Sequence, residues 1–519
     1  MPVPSGGRSS KRVIVVGGGI AGLVAAVELA HKGLRVTLLE RAARVGGKMR
    51  QVRFGERGID VGPTVFTMRW VLDNIFSDLG LRLEDHLRLK TAQTVARHAW
   101  LDGSRLDLFI DQERSAESIQ KYAGRSAAEG FRKFCQYAAR IYEATEQPFI
   151  LSQRPDFLSL VGKLGLSGMA KMARIDVARS MWTALGDFFK DHRLHQLFGR
   201  YATYYGSSPY MAPATLNLIA HVELQGVWLV DGGMVHIAET WEKLAAERGA
   251  EIRTNAEVQR LLVEGGAVKG VRLTDGSELR GDAVIFNGDV AALATGKLGS
   301  EVARHYQAPE VNERSLSALT IACEARTAGF PLLRHTVFFS SDYRDEFERI
   351  FGQQQLPRQP TTYVCAQDRD DTDRAVDGEE RLFLIINAPA VGDLRSLGQQ
   401  EVDACIDEAF AVLERCGLTV QRTPEKTKLT TPADYERDFP ATGGALYGSA
   451  THSWRGPLNR PAGRSPMPGL YLAGGSVHPG AGVPMVCMGG RLAASAVLED
   501  LASASLPPPR VTRGGTSTR

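Results

Sequence analysis

Gly17, Gly19 and Gly22 stand in the run Arg12-Val-Ile-Val-Val-Gly17-Gly-Gly19-Ile20-Ala21-Gly22, and Glu40 closes the segment that follows. Glycines at this spacing suit one task, which is letting a backbone pass close to a pyrophosphate. Gly17 permits a tight turn, Gly19 the close approach, and Gly22 the packing of the next helix against a sheet. Ile20 and Ala21 open that helix, whose first N–H groups and positive dipole end face the phosphates. Glu40 stands where a carboxylate accepts both ribose hydroxyls of an adenosine. The elements that must position these residues are legible. Val13 to Val16 is a β-branched run suited to a buried parallel strand, an Ala-rich helix ends at Gly33, and Arg35 to Leu39 gives a second strand. The expected unit is a dinucleotide-binding βαβ.

Two more glycine-rich stretches belong with it. Arg41-Ala-Ala-Arg44-Val-Gly46-Gly47-Lys48 follows the acid directly. Near the other end, Gly469-Leu-Tyr-Leu-Ala-Gly474-Gly475-Ser-Val-His478-Pro-Gly480-Ala-Gly482-Val483-Pro484 reads as a strand entering a loop, with a helix from Met485 to Ala502. Backbone N–H groups at such a helix start suit a polarised, partly anionic group. Gly232-Gly233 and Gly443-Gly444 lack the strand and the acid, so one dinucleotide is expected and no separate nicotinamide domain.

The 519 residues allow two or three domains, and a hydrophobic fraction of 43% is that of a globular chain. A net charge of +3 with scattered Lys and Arg gives no nucleic-acid footprint. Six cysteines without C-x-x-C spacing argue against zinc, other metal sites and disulfides, and fit a reduced cytoplasmic setting. No uncharged run of about 18 apolar residues spans a membrane.

The nucleotide domain reads as discontinuous, 11–80, 226–293 and 431–502. A flexible leader (1–10) and a disordered tail (503–519) flank it. Within it, Ile252 to Val258 reads as a strand, Ala267 to Leu279 as a hairpin turned by Asp275-Gly276, and Ala283 to Asn287 as another strand. The intervening segments 81–225 and 294–430 are expected to form a substrate and membrane-contact domain. From Phe149 to Tyr210, apolar residues such as Phe157, Met181, Trp182, Leu185 and Phe189 alternate with Arg154, Lys163, Arg179 and Arg193. That pattern suits a helix lying in a bilayer interface or one facing a protein core.

Arg-x-Gly-Gly after the ribose acid resembles the flavoprotein superfamily of amine oxidases, protoporphyrinogen oxidases and carotenoid desaturases. Gly62-Pro63-Thr64-Val-Phe-Thr-Met68-Arg69-Trp70 and His478-Pro-Gly-Ala-Gly-Val-Pro484 narrow the resemblance to carotenoid desaturases, nearly end to end. The extended Phe-Thr-Met-Arg-Trp-Val form is most similar to the branch acting on 1-hydroxy and 1-methoxy acyclic carotenoids. The implied fold is α/β, a Rossmann-like FAD-binding domain of the glycine-doublet type with an inserted α+β substrate domain. The implied cofactor is FAD. Gly46 and Gly47 would pass the diphosphate, with Arg41 and Lys48 near ribose and phosphates. Gly62, Pro63 and Thr64 would adjoin the first flavin piece, the backbone at Val258 the adenine, and the strand end at Asn287 the cofactor. Gly474, Gly475, Gly482, Val483 and Pro484 would lie beside the flavin ring.

The resemblance implies an oxidoreductase acting on CH–CH. It would introduce the 3,4 double bond of a 1-hydroxy or 1-methoxy carotenoid by hydride transfer to flavin. Phytoene desaturation, or a more distant amine oxidation, is the alternative. His478 is a candidate proton acceptor or orienter. Asp156 resembles an acid of bacterial phytoene desaturases and also fits a helix N-cap. Partners would be the lipophilic carotenoid, the inner membrane surface on its cytoplasmic side, and oxygen or a quinone as electron acceptor. A flavin-binding chaperone without redox turnover would tolerate loss of the flavin-face loop, which is intact here.

Overall fold

The computed structural model describes residues 10–153, 175–372, 374, 376–452, 456 and 460–504. Two sheets organise them. The first has five parallel strands in the spatial order Leu470–Leu472, Ala283–Phe286, Arg12–Val16, Arg35–Leu39, Glu251–Arg253. Its middle strand carries Val13, Ile14 and Val15, all almost fully buried, as β-branched residues in a two-sided parallel sheet must be. Val16 lies level with Leu39 on one side and Phe286 on the other, and Phe286 with Leu472. Four carboxyl ends therefore finish together. The chain goes from the middle strand to Arg35–Leu39 and Glu251–Arg253 on one side, then crosses to Ala283–Phe286 and Leu470–Leu472 on the other, which makes the middle strand the switch point at which such sheets bind ligands.

The helix Ile20–His31 is buried along nearly its whole length. The C-terminal helix Val483–Ala504 crosses it at Gly490, where an added Cβ would sit 2.3 Å from the Ala21 carbonyl oxygen. Only a residue without a side chain permits that crossing.

The second sheet has seven strands in the order Thr419–Thr430, Ser317–Ala328, Glu380–Ala388, Thr362–Ala366, His335–Phe338, Thr94–Ala99, Arg105–Phe109. All pairs are antiparallel except His335–Phe338 with Thr94–Ala99. One face, with Leu319, Ile321, Leu384 and Ile386, is covered by the helix Gln399–Arg415 through Val402, Ile406 and Ala409. The opposite face splits. Ala322, Cys365 and Phe383 pack on Ile59, and Ala96, Val337 and Phe339 join an aromatic core containing Phe131, Phe134 and Phe198.

Two sequence expectations change. The strand expected over Ile252 to Val258 is two strands, Glu251–Arg253 and Val258–Glu264. The chain turns between them, with Asn255 in the left-handed region at φ 52°, a conformation Asn tolerates better than most. The stretch Phe149 to Tyr210 is not one interfacial helix over its described part. It forms short helices Met181–Leu185 and His192–Gly199, whose Met181, Leu185, Leu194, Leu197 and Phe198 are buried without exposure. Phe189 stacks on Phe198 with ring centres 4.8 Å apart. Arg179 pairs with Asp176 and Asp187, and Arg193 with Asp102 and Asp191. Over the described residues the apolar side of the pattern meets protein. Residues 154–174, including Asp156, lie outside the described residues.

Candidate functional site

The glycine loop leaves the middle strand where the resemblance expects a pyrophosphate. Gly22 has no room for a side chain, since a Cβ would lie 2.2 Å from the Gly17 carbonyl oxygen. The helix begins at Gly19 with no side chain capping it and no acidic residue in its first turn. Its first N–H groups are thus left for a ligand. The donors, the dipole and the glycine clearance all suit a diphosphate.

The second glycine pair folds onto the first loop. Gly46 bridges Gly19, and its N–H donates to the Gly18 carbonyl oxygen at 2.8 Å. Gly62 packs on the Lys48 carbonyl, again with no space for a Cβ, which ties Gly62-Pro63-Thr64 to the doublet. Lys48 itself is turned inward. Its Nζ donates to the Leu446 carbonyl oxygen at 2.5 Å and lies 5.2 Å from the centre of the Phe439 ring, and burial lowers its pKa to about 8.

Glu40 is 8% exposed, and each of its oxygens has one backbone donor, Gly18 N at 2.7 Å and Ala42 N at 2.8 Å. Carboxylate oxygens hold further lone pairs, so the ribose hydroxyls still have acceptors. The turn at 254–257 wraps this residue, with Ala256 N donating to the Glu40 carbonyl oxygen and Asn255 N to that of Ala42. These two residues, more than Val258, border Glu40, and the strand broken between them concealed this in the sequence. Arg41 does not turn into the crevice. Its guanidinium donates to the carbonyl oxygens of Arg437 and Asp438 and pairs at 4.0 Å with Glu257.

Asn287 does more than end a strand. Its Nδ2 donates to the carbonyl oxygens of Gly17 at 3.0 Å and Gly19 at 3.2 Å. A Cβ on Gly474 would stand 3.0 Å from its Oδ1. One amide thus joins the two glycine loops across the crevice. Arg460, 6% exposed, supports the C-terminal loop by donating to the Gly475 carbonyl oxygen at 2.5 Å and that of Ser449 at 3.2 Å. Only the contact map reveals Arg460; no local pattern marks it. Gly482 precedes the C-terminal helix and accepts from Val486 N, with Val483 and Pro484 in the first turn, where proline is pre-organised.

His478 is 1% exposed. Its Nε2 lies 3.0 Å from the Ser152 carbonyl oxygen, and the Phe149 ring meets it edge-on at 5.0 Å. Burial draws its pKa down to about 4, so the ring is neutral, the Nε2–H donates to Ser152, and Nδ1 keeps a lone pair. Among the described residues Nδ1 has no partner. No group of three or more His, Cys, Asp or Glu among them is placed to hold a metal.

Comparison with known proteins agrees with this geometry. The profile of the family described as flavin containing amine oxidoreductase matches residues 20–498. The chain is 51% identical to a hydroxyneurosporene desaturase of Rubrivivax gelatinosus, over 98% of this chain and 97% of that one. It is 31% identical to a 4,4'-diapolycopene oxygenase of a Methylomonas species, over 95% and 99%. A putrescine oxidase bound to putrescine shares the fold, with a TM-score of 0.58 at 15% identity over 95% of this chain and 99% of that one.

Proposed function

We infer the function from one premise: this chain belongs to the flavin-containing amine oxidoreductase family and, within it, to the carotenoid desaturases. It is an FAD-dependent oxidoreductase that desaturates a carotenoid. The finer reading is that the substrate is an acyclic carotenoid with a 1-hydroxy or 1-methoxy end, and that the new double bond is C3=C4. The observation that carries it is the 51% identity over nearly the whole of both chains to a hydroxyneurosporene desaturase.

We assign the cofactor cradle to Gly17–Gly22, Glu40, Gly46-Gly47, Asn287 and Gly474–Pro484, and the domain pieces 11–80, 226–293 and 431–502 to FAD. Segments 81–225 and 294–430 take the substrate. Bound FAD supplies a two-electron sink for a hydride leaving an allylic carbon. The residues bind and orient. The uncapped helix start would hold the diphosphate and Glu40 the ribose, and the substrate segments would keep water from the polyene. The companion proton is weakly held once charge delocalises along the chain, so no strong base is required. His478, neutral and bonded to Ser152, suits orientation of the flavin-side loop better than proton abstraction.

Reoxidation by oxygen or a membrane quinone, and a peripheral contact with the inner membrane on its cytoplasmic side, are parts of the same proposal. The support for the contact is the substrate's lack of water solubility. Among the described residues no helix is long and apolar enough to cross a membrane. The test is turnover of pigment in liposomes loaded with 1-hydroxyneurosporene, neurosporene or phytoene. A red shift with the hydroxylated substrate is expected, and a shift with phytoene alone overturns the finer reading. Failure of the protein to float with carotenoid liposomes overturns the membrane contact.

A further inference from the structure

A carbinol at C1 is separated from C3 by two carbon–carbon bonds of about 1.5 Å each. Any group that reads the oxygen must therefore adjoin the reacting carbons. It must also be buried, since the polyene around it excludes water, and a buried hydroxyl requires both an acceptor and a donor.

The face of the seven-stranded sheet opposite the helix Gln399–Arg415 holds such groups. His335 and Tyr363 lie on it, because Val337 is level with Tyr363 in the neighbouring strand and His335 is two residues before Val337. His98 lies on it too, level with Val337 on the other side. Tyr363 Oη donates to Thr64 Oγ1 at 2.9 Å and so accepts from His335 Nδ1 at 2.7 Å. That order leaves His335 Nε2 as a lone pair. It has no partner among the described residues, and the side chain is 3% exposed.

Arg200, 7% exposed, lies in the same core: the neighbouring Tyr201 packs in one cluster with Val337, and Tyr204 and Tyr363 pack against it, while the Arg200 charge acts on both His335 and His98. Its Nη1 lies 3.4 Å from Tyr204 Oη, and the Tyr201 and Tyr204 hydroxyls both donate to Glu223. Arg200 Nε has no partner among the described residues. A hydrogen-bond chain thus runs from Thr64, two residues beyond Gly62, to the orphaned acceptor on His335; His98 Nε2 on the same face has no partner among the described residues either. One orphaned donor, Arg200 Nε, lies on the segment Arg200–Tyr205 of the same core. The far end of that segment touches the flavin-side loop, with Tyr205 Cε1 3.2 Å from a Cβ at Gly480.

We propose that His335 Nε2 and Arg200 Nε–H form the recognition site for the oxygen at C1 of the substrate, the hydroxyl donating to His335 and accepting from Arg200. The inference rests on the function proposed above. It makes these two residues determinants of specificity rather than of chemistry. A methyl ether can accept from Arg200 but has nothing to donate to His335.

The test compares the purified holoenzyme with His335→Leu, Arg200→Lys and Tyr363→Phe on three substrates: a 1-hydroxy carotenoid, its methyl ether, and the same chain without the oxygen. His335→Leu is expected to lower kcat/KM about 10- to 100-fold on the hydroxy substrate alone. Arg200→Lys keeps the charge and loses the Nε donor, so it lowers both oxygenated substrates. Tyr363→Phe keeps the ring and gives a smaller loss confined to the hydroxy substrate, which serves should His335→Leu fail to retain flavin. An equal fall on all three substrates, no change on any, or the same selective loss from His98→Leu overturns the assignment. A wild-type enzyme that desaturates phytoene but no oxygenated substrate overturns the proposed function and this site with it. A wild-type enzyme active on the hydroxy substrate, with unaltered selectivity in the variants, overturns this site alone.

Discussion

Glu40 is held by Gly18 and Ala42 before any ligand arrives, so the ribose-binding role proposed for it is pre-organised. Glu40→Ala is expected to weaken FAD binding about 10- to 100-fold, the scale of losing hydrogen bonds to a charged group. Flavin absorbance retained after gel filtration measures it. His478 makes a different prediction. Its folded pKa of about 4 lies below the ordinary 6.5, so between those values the unfolded chain binds more protons. Stability from this group is then lost as pH falls through that window. His478→Gln should flatten the acid limb of a denaturation-versus-pH curve and leave the pH dependence of kcat/KM unshifted. An inflexion of kcat/KM near pH 4 that vanishes in the variant would restore the proton-acceptor role. Glu40 was legible because its acid follows a strand at local range. Asn287 reaches Gly17 and Gly19 across some 270 positions of chain, and no local pattern carries that.

Among the elements, the amphipathic stretch around Met181 shows where pattern alone runs out. A helix that faces lipid and one that faces a protein core share the same periodicity, and only the partners Phe131, Phe134 and Phe198 decide between them. Phe189→Ala should cost about 3–5 kcal/mol in denaturant unfolding, the usual loss for a buried Phe, and should leave liposome flotation of the folded fraction unchanged. The nucleotide-binding βαβ was legible from its glycines, and Gly22→Ala tests it. With the Gly17 carbonyl oxygen 2.2 Å from the new Cβ, the loop must open, and the purified protein is expected colourless. The seven-stranded sheet was not legible as a site wall. Which face His335 and Tyr363 share depends on register between distant strands, and a one-residue slip would reverse it.

For the whole molecule, cofactor and fold are linked. The proposed cradle draws on residues 17–22, 40–48, 287 and 474–484 at once, so FAD held there would bind the folded state and have little purchase on the unfolded one. Free FAD at 100 times its Kd should stabilise the apoprotein by about 2.7 kcal/mol, seen as a rise in melting temperature that depends on FAD concentration. An apoprotein whose melting temperature ignores FAD would contradict the assignment of the cradle. The broad α/β plan was readable from the alternation of strands and helices at either end of the chain. The resemblance already joined three separate stretches in one domain; the hydrogen bonds that tie them, such as Asn287 to Gly17 and Gly19, emerge only in three dimensions.

The strand Leu470–Leu472 completes the parallel sheet beside Ala283–Phe286, and this sets a timetable for biosynthesis. At translation rates of about 5–20 residues per second, roughly 20 to 90 s separate the emergence of the first glycine loop from that of the strand closing its crevice. Throughout that interval the nascent chain carries an unfinished sheet with an open edge, a template for pairing with other chains. Flavin loading is therefore expected late, once the last strand docks. Flavin starvation during expression should accordingly send this protein into aggregates more readily than starvation after synthesis is complete.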